Sequence, residues 1–497
     1  MKNFLYISVA AAALSLSSCS DYLDINQDPN SPTVDNLSSS MLMPGAEMQF
    51  AGTYGGDMRC ALGYFSQHYA QEFGTSNYLD YSQFEMPSAR NSLFYTYVNY
   101  KTLNNLQTIL SKSRASEDWG SFLAATTLRA YIYQVFVDMW GEIPYSEAMD
   151  VSNISPKYDD GKDVYAGIVD ELDYALSMAP ASSTVCTNLL FPGETADAWI
   201  KFANALKLRI LMRESGVVDV QDQLDALVLE NNFPTEDVAY ADCWADSKGS
   251  WNPFYDNEFS AGMQKNVIAN VAYINTLNQE DDGFVDGRLA AYWQPNSNGD
   301  FAGGVSGVNF STSSSFKESY WSRPVASPTD PVVLLSVAST EFFLAEYYAA
   351  SGSTYNAEQH YNAAIQASFA SAGAEGADEV IAKFPFDADN YAKCIGIQKW
   401  VDLGGYDTFE AWCELRRLGY PTFGTLSGLD IYNNQTDDSF KPELLEPATL
   451  YTPILVFGEV GANMLAQRFP YPESSTARNS NSPAFPGYKT PVFWAVK

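Results

Sequence analysis

The chain is poor in cationic residues and in residues that bind metal ions. Its 497 residues include 28 Lys and Arg against 60 Asp and Glu, which gives a formal net charge of −32. This charge repels phosphate backbones and anionic lipid surfaces, so it excludes nucleic-acid binding by the folded domain. The six cysteines include no CxxC pair, and His68 and His360 are the only histidines. We therefore expect no metal site and no cofactor, and we expect dispersed, buried, free thiols.

The sequence also lacks a catalytic constellation. Neither His68 nor His360 lies in the sequence context of a nucleophile elbow, so the sequence offers no candidate histidine as the general base of a Ser-His catalytic site. Carboxylate pairs such as Asp159-Asp160 and Asp281-Asp282 resemble the paired acids of glycosidases, but a chain with 60 acids forms such pairs by chance. A solvated acidic surface explains them, and we predict that the protein is not an enzyme.

A single apolar run of the length found in targeting signals is present, and it lies at the N-terminus. Lys2 precedes the apolar run from Phe4 to Leu16, and Leu16-Ser17-Ser18-Cys19 follows. The run is typical of a secretory signal and is too short to span a bilayer as a permanent helix. A cysteine after small residues is typical of a bacterial lipobox, and the alternative is an ordinary signal peptide with a coincidental cysteine. We predict a lipoprotein signal peptide at 1–18, lipidation of Cys19, and a lipidated tether at 19–40.

Helical periodicity dominates two parts of the remaining chain. Apolar residues from Leu128 to Met139 recur at helical spacing, and Gly141 ends that pattern. Thr195 is a candidate N-cap for a second helix. Gly, Ser, Asn and Asp become frequent from about residue 233, and the helical period fades there except in short helices such as 266–278. A later helical stretch at 392–418 is broken near Gly404-Gly405. The predicted domain, 41–497, has a helical scaffold at 41–232 and 331–420, a loop-rich subdomain at 233–330 and an irregular C-terminal tail at 421–497.

The predicted fold class is all-α. Short helix pairs with small residues at their crossings, as around Tyr174–Leu176 and Tyr361–Ile365, suggest tetratricopeptide-like stacking. A generic helical bundle fits the same periodicity, so the residues alone leave both architectures open.

Aromatic residues are abundant, and many stand among polar residues outside the clear helices. Sugar recognition needs flat apolar faces for the C–H side of a ring, together with amides and carboxylates for its hydroxyl groups. Core packing is the commoner outcome for any single ring, so we expect at least two of these residues, not all of them, to line a site. The candidate ligand-binding residues are Asn77, Tyr78, Tyr81, Phe84, Trp251, Tyr292, Trp293, Tyr320, Trp321 and Arg323.

Several segments together resemble the SusD-like (SusD/RagB) family of outer-membrane, nutrient-binding lipoproteins. They follow one another in family order along nearly the whole chain. Each is weakly specific alone, and the set is specific. The segments are Asp21–Asn30, Leu128–Tyr131 with Trp140–Ala148, Trp199–Arg209, Glu341–Glu346, Gln398–Trp400 and Glu414–Pro421. The Glu142-Ile143 pair replaces the family's commoner Asp-Val.

The resemblance implies both a fold and a function. The fold is a right-handed, tetratricopeptide-like helical superhelix with a loop-rich subdomain. The function is that of a lipid-anchored protein at the cell surface, which captures oligosaccharide or polysaccharide and delivers it, as a lid, to a SusC-like TonB-dependent transporter in the outer membrane. Three alternatives stay open: a peptide-capturing member of the same family, a surface glycoside hydrolase, and a structural adhesin.

Overall fold

A computed structural model of the chain describes residues 37–495, apart from 73–74, 151, 260–265, 280–282, 309–319 and 437–444. The predicted signal peptide, the lipidation of Cys19 and most of the predicted tether lie outside the described residues.

The described residues are mainly helical, which confirms the predicted all-α class. Two π-helical segments, Thr53–Met58 and Tyr97–Leu103, interrupt the first part of the chain. The α-helices are α1 Ser39–Gly52, α2 Arg59–Phe65, α3 Leu79–Ser82, α4 Ser88–Thr96, α5 Asn104–Ala115, α6 Trp119–Trp140, α7 Gly161–Met178, α8 Ala196–Glu214, α9 Gln221–Glu230, α10 Pro253–Phe259, α11 Val271–Leu277, α12 Arg288–Tyr292, α13 Val337–Ala350, α14 Thr354–Ala372, α15 Ala377–Lys383, α16 Tyr391–Leu403, α17 Thr408–Leu418, α18 Gly428–Thr436 and α19 Glu473–Thr476.

The strands are short, and in the described residues they pair two by two. The strands are β1 Tyr69–Gln71, β2 Val238–Tyr240, β3 Val267–Ala269, β4 Asn278–Gln279, β5 Phe284–Val285, β6 Trp293–Gln294, β7 Arg323–Pro324, β8 Val332–Leu335, β9 Thr422–Ser427 and β10 Thr449–Thr452. Antiparallel pairs join β1 to β3, β2 to β8, β4 to β5 and β6 to β7, and a parallel pair joins β9 to β10.

The long helices pack as consecutive pairs, as the tetratricopeptide-like prediction requires. Helices α5 to α8 pack in series, and a tight turn through Gly352, at φ +78°, folds α14 back against α13. The predicted helix ends are confirmed where capping residues mark them. Gly141 ends α6 at φ +83°, and the Thr195 hydroxyl accepts a hydrogen bond from the Asp197 amide at the start of α8.

Helix α6 is the centre of the scaffold. The Asp118 carboxylate caps its first turn by accepting a hydrogen bond from the Ser121 amide. Its apolar spacing predicts an amphipathic helix with one solvent-exposed face. This prediction is wrong, since 20 of its 22 residues are buried. Neighbouring helices and the C-terminal segment cover the face that the pattern leaves polar. One of the polar residues on that face, Asp138, is fully buried.

Asp138 belongs to a buried ionic network that joins three scaffold helices. Arg213 of α8 lies 2.7 Å from Asp138, and neither side chain has solvent-exposed surface. The same guanidinium contacts Glu410 and, at 3.2 Å, Glu414 of α17. The Tyr165 hydroxyl of α7 donates a 2.6 Å hydrogen bond to Asp138. Pairing of this kind compensates the cost of removing charges from water.

Three segments that carry the family resemblance meet in the same network. Lys399 of α16 donates to Glu414 at 2.8 Å, and Arg417 binds both carboxylate oxygens of Glu346 at 2.6 Å. Burial opposes ionisation of Glu414, but Arg417 and Lys399 hold the pKa of this carboxyl well below its usual value. Burial lowers the pKa of Lys399 to about 8. These buried residues therefore hold the scaffold helices together.

Two segments differ from their predicted structure. Residues 266–278, predicted as one short helix, form β3 and then α11, because the β-branched Val267 and Ile268 pair with β1 and the Asn270 side chain caps α11 at the Ala272 amide. The C-terminal segment 421–497, predicted as irregular, contains β9, α18, β10 and α19 among its described residues, and it completes the core. Phe469 stacks on Trp412 with 4.5 Å between ring centroids.

The cysteines of the described residues are free, as predicted. Two of them are buried and three are half-buried: Cys60 and Cys413, then Cys186, Cys243 and Cys394.

Candidate ligand-binding site

Short strands bring distant candidate residues to one side of the loop-rich part of the molecule. In the β1–β3 pair, Gln71 lies opposite Val267, and in the β6–β7 pair, Gln294 lies opposite Arg323. Arg323 joins these pairs, because its guanidinium donates to the Val267 carbonyl oxygen at 3.3 Å and forms an ion pair with Glu72. The end of β1 lies beside the segment that contains the candidate residues Asn77 to Phe84, because the Tyr78 amide bonds the Gln71 side chain.

Tyr78 is a candidate ring that this arrangement leaves partly at the surface. Its amide donates to the Gln71 side chain at 2.9 Å, which fixes the segment against β1. Its ring is half-buried and stacks on Tyr81, with 5.7 Å between centroids and 14° between planes. Arg90 supports the pair from α4: it lies 5.0 Å from the Tyr81 centroid and donates to the Asn77 carbonyl oxygen at 2.8 Å.

An exposed carboxylate, Asp57, lies near enough to Tyr78 to raise the pKa of its hydroxyl, and a side-chain amide is paired with it. Asp57 projects from the π-helical segment Thr53–Met58, and it accepts a 3.1 Å hydrogen bond from the Asn257 side chain of α10. Gly56 lets these elements approach, because a Cβ at that position would lie 3.1 Å from Pro253. We call Asp57, Asn77, Tyr78, Arg90 and Asn257 the Tyr78 patch.

Buried acidic groups lie beneath the patch and act on the Tyr78 hydroxyl. The nearby Cys60 thiol and burial are the main causes that raise the pKa of Tyr78, and Glu258 and Asp57 add to the effect. Glu258 accepts hydrogen bonds from the amides of Asn266 and Val267, each at 3.0 Å. Burial raises the pKa of Glu258 to about 7. The Tyr78 hydroxyl is therefore a neutral hydrogen-bonding group at physiological pH.

Four candidate rings are core residues in the structure, which corrects the expectation that they stand at the surface. Tyr81, Phe84, Trp293 and Trp321 are 3%, 0%, 1% and 2% exposed. Trp293 lies between Tyr69 and Tyr273, at centroid distances of 6.0 and 6.2 Å. The physical reason is that long irregular segments also need apolar residues beneath them, and these rings supply that packing.

The other candidates divide between the surface and the framework. Asn77 is exposed, and Trp251 and Tyr320 are half-buried. Tyr292 is half-buried but packs against the turn between α16 and α17, where a Cβ on Gly405 would lie 2.4 Å from its ring. Arg323 is half-buried and engaged with Glu72, so it holds the strands together.

Three residues of the patch, Asp57, Arg90 and Asn257, were absent from the sequence-based site. Asp57 lies in a helical sequence pattern, where a carboxylate is usually interpreted as part of a solvent-exposed face. The Gly55-Gly56 pair before it was the available signal of a backbone irregularity. Asn257 lies among polar neighbours of Trp251, but its pairing with Asp57 depends on a contact between segments 200 residues apart in sequence.

The described helices include none that is both long and apolar enough to cross a membrane.

A family model covers most of the chain. The SusD-like model, described as starch-binding associating with outer membrane, matches residues 32–439. This chain belongs to the SusD-like family. Solved SusD-like proteins share one helical architecture, and the scaffold observed here, with its buried ionic network, has that architecture. Among curated proteins, none matches the chain.

Solved structures of SusD-like proteins share the fold over nearly the whole chain. A SusD homologue from Bacteroides uniformis has a TM-score of 0.71 at 22% identity and covers 91% of this chain and 99% of its own. A chitin-binding SusD homologue from Flavobacterium johnsoniae has a TM-score of 0.69 at 20% identity, with 91% and 98% covered. A SusD-like protein from Bacteroides thetaiotaomicron has a TM-score of 0.69 at 20% identity, with 92% and 99% covered.

Proposed function

We propose that this SusD-like protein is a non-enzymatic, lipid-anchored protein of the cell surface that captures oligosaccharide or polysaccharide. It then delivers the glycan, as a lid, to a SusC-like TonB-dependent transporter in the outer membrane. The family description as starch-binding and the chitin-binding relative support a glycan as the ligand class. The observation in this chain that carries the proposal is the Tyr78 patch.

The Tyr78 patch has the parts that recognition of a neutral sugar needs. The Tyr78 ring offers an apolar surface to the C–H side of a sugar ring, while the Asp57 carboxylate and the Asn257 amide offer hydrogen-bond partners to hydroxyl groups. Trp251 and Tyr320 are further half-buried candidates, and Asn77 adds an exposed amide. The buried Tyr81 acts in this proposal as the support that holds Tyr78 flat, not as a contact to ligand.

The charges around the patch favour a glycan over a peptide. Arg90, the cation of the patch, already lies 3.6 Å from Asp80 and over the Tyr81 ring. A peptide site would need charges that converge on the ligand without partners of their own. Peptide capture nevertheless remains the nearest alternative, and a ligand titration separates the two.

The first experiment identifies the ligand class. The soluble form, residues 20–497, is titrated by calorimetry with starch and chitin oligosaccharides, with other polysaccharides and with peptides, while tryptophan fluorescence is recorded. We expect saturable binding to one glycan class. Binding to peptides alone would overturn the glycan and keep capture as the function.

A second experiment tests the absence of catalysis. The protein is incubated for a long period with the glycan that it binds, and reducing ends are counted. We expect none above the level of a boiled sample. Release of reducing ends that depends on active protein would replace the capture proposal with a surface glycoside hydrolase.

The anchor and the transporter are tested in the native organism. A Cys19→Ser variant should move from the membrane fraction to the soluble fraction, because it loses its acylated thiol. The unsubstituted protein should co-purify in detergent with a large β-barrel protein, and protease added to intact cells should cleave it. Failure of co-purification together with failure of glycan binding would favour a structural adhesin.

A further inference from the structure

A groove whose lining shares no residue with the Tyr78 patch lies on the helical scaffold, between α9, α13 and α14. Its volume is about 460 Å³. Three aliphatic side chains, a carboxylate, an amide, two phenol rings and an imidazole line it: Val228, Leu229, Leu344, Asp225, Asn231, Tyr347, Tyr348 and His360. The proposed glycan capture uses none of these residues.

The aliphatic part of the groove has a buried floor and one exposed edge: Val228 and Leu344 are buried, and Leu229 is exposed. Leu229 of α9 is 87% exposed, which is unusual for a large apolar side chain on a short helix that packs against a scaffold. Asn231 ends α9 in the left-handed conformation, at φ +49°, and the chain turns away there. An exposed leucine at the edge of an apolar groove is a feature of surfaces that bind another chain.

The carboxylate of the groove is fixed in place with one oxygen left over. Asp225 Oδ1 accepts hydrogen bonds from the Tyr347 hydroxyl at 2.7 Å and from the Gln221 amide at 2.6 Å. These bonds lower the pKa of Asp225, so the group is ionised at neutral pH. Among the described residues, no donor reaches its Oδ2, and no Lys or Arg lines the groove.

The aromatic wall is rigid. The His360 ring lies parallel to Tyr348, with 5.1 Å between centroids and 9° between planes, and its Nδ1 lies 2.7 Å from Glu341. Tyr347 packs edge-on against Tyr348 at 5.2 Å. Because the imidazole covers one face of Tyr348 and the Tyr347 hydroxyl is already bonded, this wall is less suited than the Tyr78 patch to stacking against a sugar.

We propose that the groove docks a basic peptide segment of a protein partner. A Lys or Arg side chain of that segment lies with its aliphatic stem on Val228, Leu229 and Leu344, and its cation meets Asp225 Oδ2 and the tyrosine rings. Charge complementarity supports this occupant, because an ionised carboxylate without a cation of its own lies at the end of an apolar trough in a chain of net charge −32. Stacked helix pairs commonly present such grooves to extended partners.

The chain offers a clean reporter for the test. Its only other histidine, His68, is buried between Trp400 and Tyr273, so the proton signals of the His360 imidazole can be assigned without ambiguity. The soluble form is titrated with a terminally blocked Ala-Leu-Lys-Ala peptide, and the same peptide with norleucine in place of lysine is the neutral control. The His360 signals are followed by NMR at about 50 mM and about 500 mM salt, conditions that differ severalfold in screening length.

We expect a saturable shift of the His360 signals with the lysine peptide, weakened at high salt, and little shift with the norleucine peptide. Asp225→Asn should weaken binding about tenfold, since it removes a charge-assisted hydrogen bond. Asp222→Asn removes the same charge from an exposed position on the same helix and should bind as the unsubstituted chain does. Leu229→Ser provides a second variant, which should weaken binding through loss of the aliphatic contact.

Three results would overturn the proposal. Equal shifts with both peptides would show a purely apolar groove, and equal weakening by Asp222→Asn and Asp225→Asn would show nonspecific attraction to an acidic surface. A shift with oligosaccharide but not with the lysine peptide would make the groove a second sugar site. None of these results bears on glycan binding at the Tyr78 patch.

Discussion

Glu47 shows at the scale of one residue how this protein uses buried carboxyl groups. The side chain is fully buried in α1 and accepts hydrogen bonds from the amides of Leu189 and Leu190, at 2.7 and 3.3 Å. Hydrogen bonds to a carboxylate lower its pKa, but burial outweighs them and raises the pKa of Glu47 to about 8. The folded protein therefore holds a proton on Glu47 at a pH where the unfolded chain has lost it.

Replacing Glu47 with glutamine should remove a pH dependence. Between the unfolded value of 4.5 and the folded value of about 8, the native state binds the extra proton, so rising pH destabilises the unsubstituted protein. The glutamine side chain does not titrate, and its single Oε1 keeps an acceptor for one of the two backbone amides, which bond separate oxygens of Glu47. We expect the loss of unfolding free energy from pH 5.5 to pH 8.5, measured with urea, to be smaller in Glu47→Gln by about 2 to 4 kcal/mol. Glu358→Gln, at an exposed position, should leave it unchanged, and an equal slope in all three proteins would contradict the assignment.

The residue scale also shows why the candidate rings could be predicted only in part. Tyr78 and Tyr81 share one short segment and the same polar neighbours, yet Tyr78 is half-buried and Tyr81 is 3% exposed. Tyr64 of α2 packs against both rings, at 5.7 Å from Tyr78 and 6.4 Å from Tyr81. Phe65 of α2 and Arg90 of α4 add further cover to Tyr81, at 6.3 and 5.0 Å from its centroid. A contact of that kind joins distant parts of the chain and leaves no local trace in sequence. Alanine at Trp293 or Trp321 would therefore report on core packing, not on ligand contact.

At the scale of secondary-structure elements, the ionic network determines which helices stay together. Glu414 is the charge partner of Lys399 of α16, it shares Arg417 of α17 with Glu346, and Arg213 of α8 contacts it too. Because these side chains are buried, neutralising Glu414 leaves Lys399 without its charge partner and leaves Arg417 and Arg213 with one partner fewer.

Glu414→Gln should consequently be strongly destabilising. The substitution preserves shape but leaves Lys399 and Arg417 buried with one negative charge fewer, and we expect a loss of about 3 to 5 kcal/mol in unfolding free energy. Urea denaturation followed by circular dichroism measures it. Glu358→Gln on α14 makes the same chemical change at an exposed position and should cost almost nothing. A loss below about 1 kcal/mol for Glu414→Gln would contradict the role given to the network.

Helix boundaries were the most predictable elements, because capping is local. Gly141 ends α6 and Thr195 begins α8 where the sequence places them, and the break near Gly404-Gly405 separates α16 from α17. Burial around α6 was not predictable, because one apolar stripe says nothing about what covers the opposite face. The π-helical turn that projects Asp57 was missed for a related reason: its hydrogen-bond pattern depends on packing against α10.

At the scale of the whole molecule, more buried carboxyl groups of the described residues have a raised pKa than a lowered one, as Glu414 has. Burial raises the pKa of five such groups to values of about 6 to 8: Asp402, Asp407, Glu214, Glu258 and Glu47. Each group keeps its proton to a higher pH in the folded state than in the unfolded chain, so each makes folding less favourable as pH rises through that range. The excess of acids over bases adds self-repulsion once these groups ionise.

The melting temperature should therefore be higher near pH 5.5 than near pH 8. Lys399 acts in the opposite direction only above pH 8, where its pKa of about 8 in the folded state lies below the usual 10.5. Differential scanning calorimetry across pH 5 to 9 measures the trend, and added salt at pH 8 should recover the part that arises from net charge. A maximum at pH 8 in low salt would contradict the assignment of neutral, buried carboxyl groups.

The most direct test of the central claim is the affinity of Tyr78→Ala for the glycan that the soluble form binds, measured by calorimetry. Tyr355→Ala is the matched control, because Tyr355 is 72% exposed on α14, outside the Tyr78 patch. If the Tyr78 ring is the platform for the ligand, its loss should weaken binding about tenfold or more, while the control binds as the unsubstituted protein does and both variants stay folded by circular dichroism. Unchanged affinity in folded Tyr78→Ala would contradict the account and move the glycan site away from this patch.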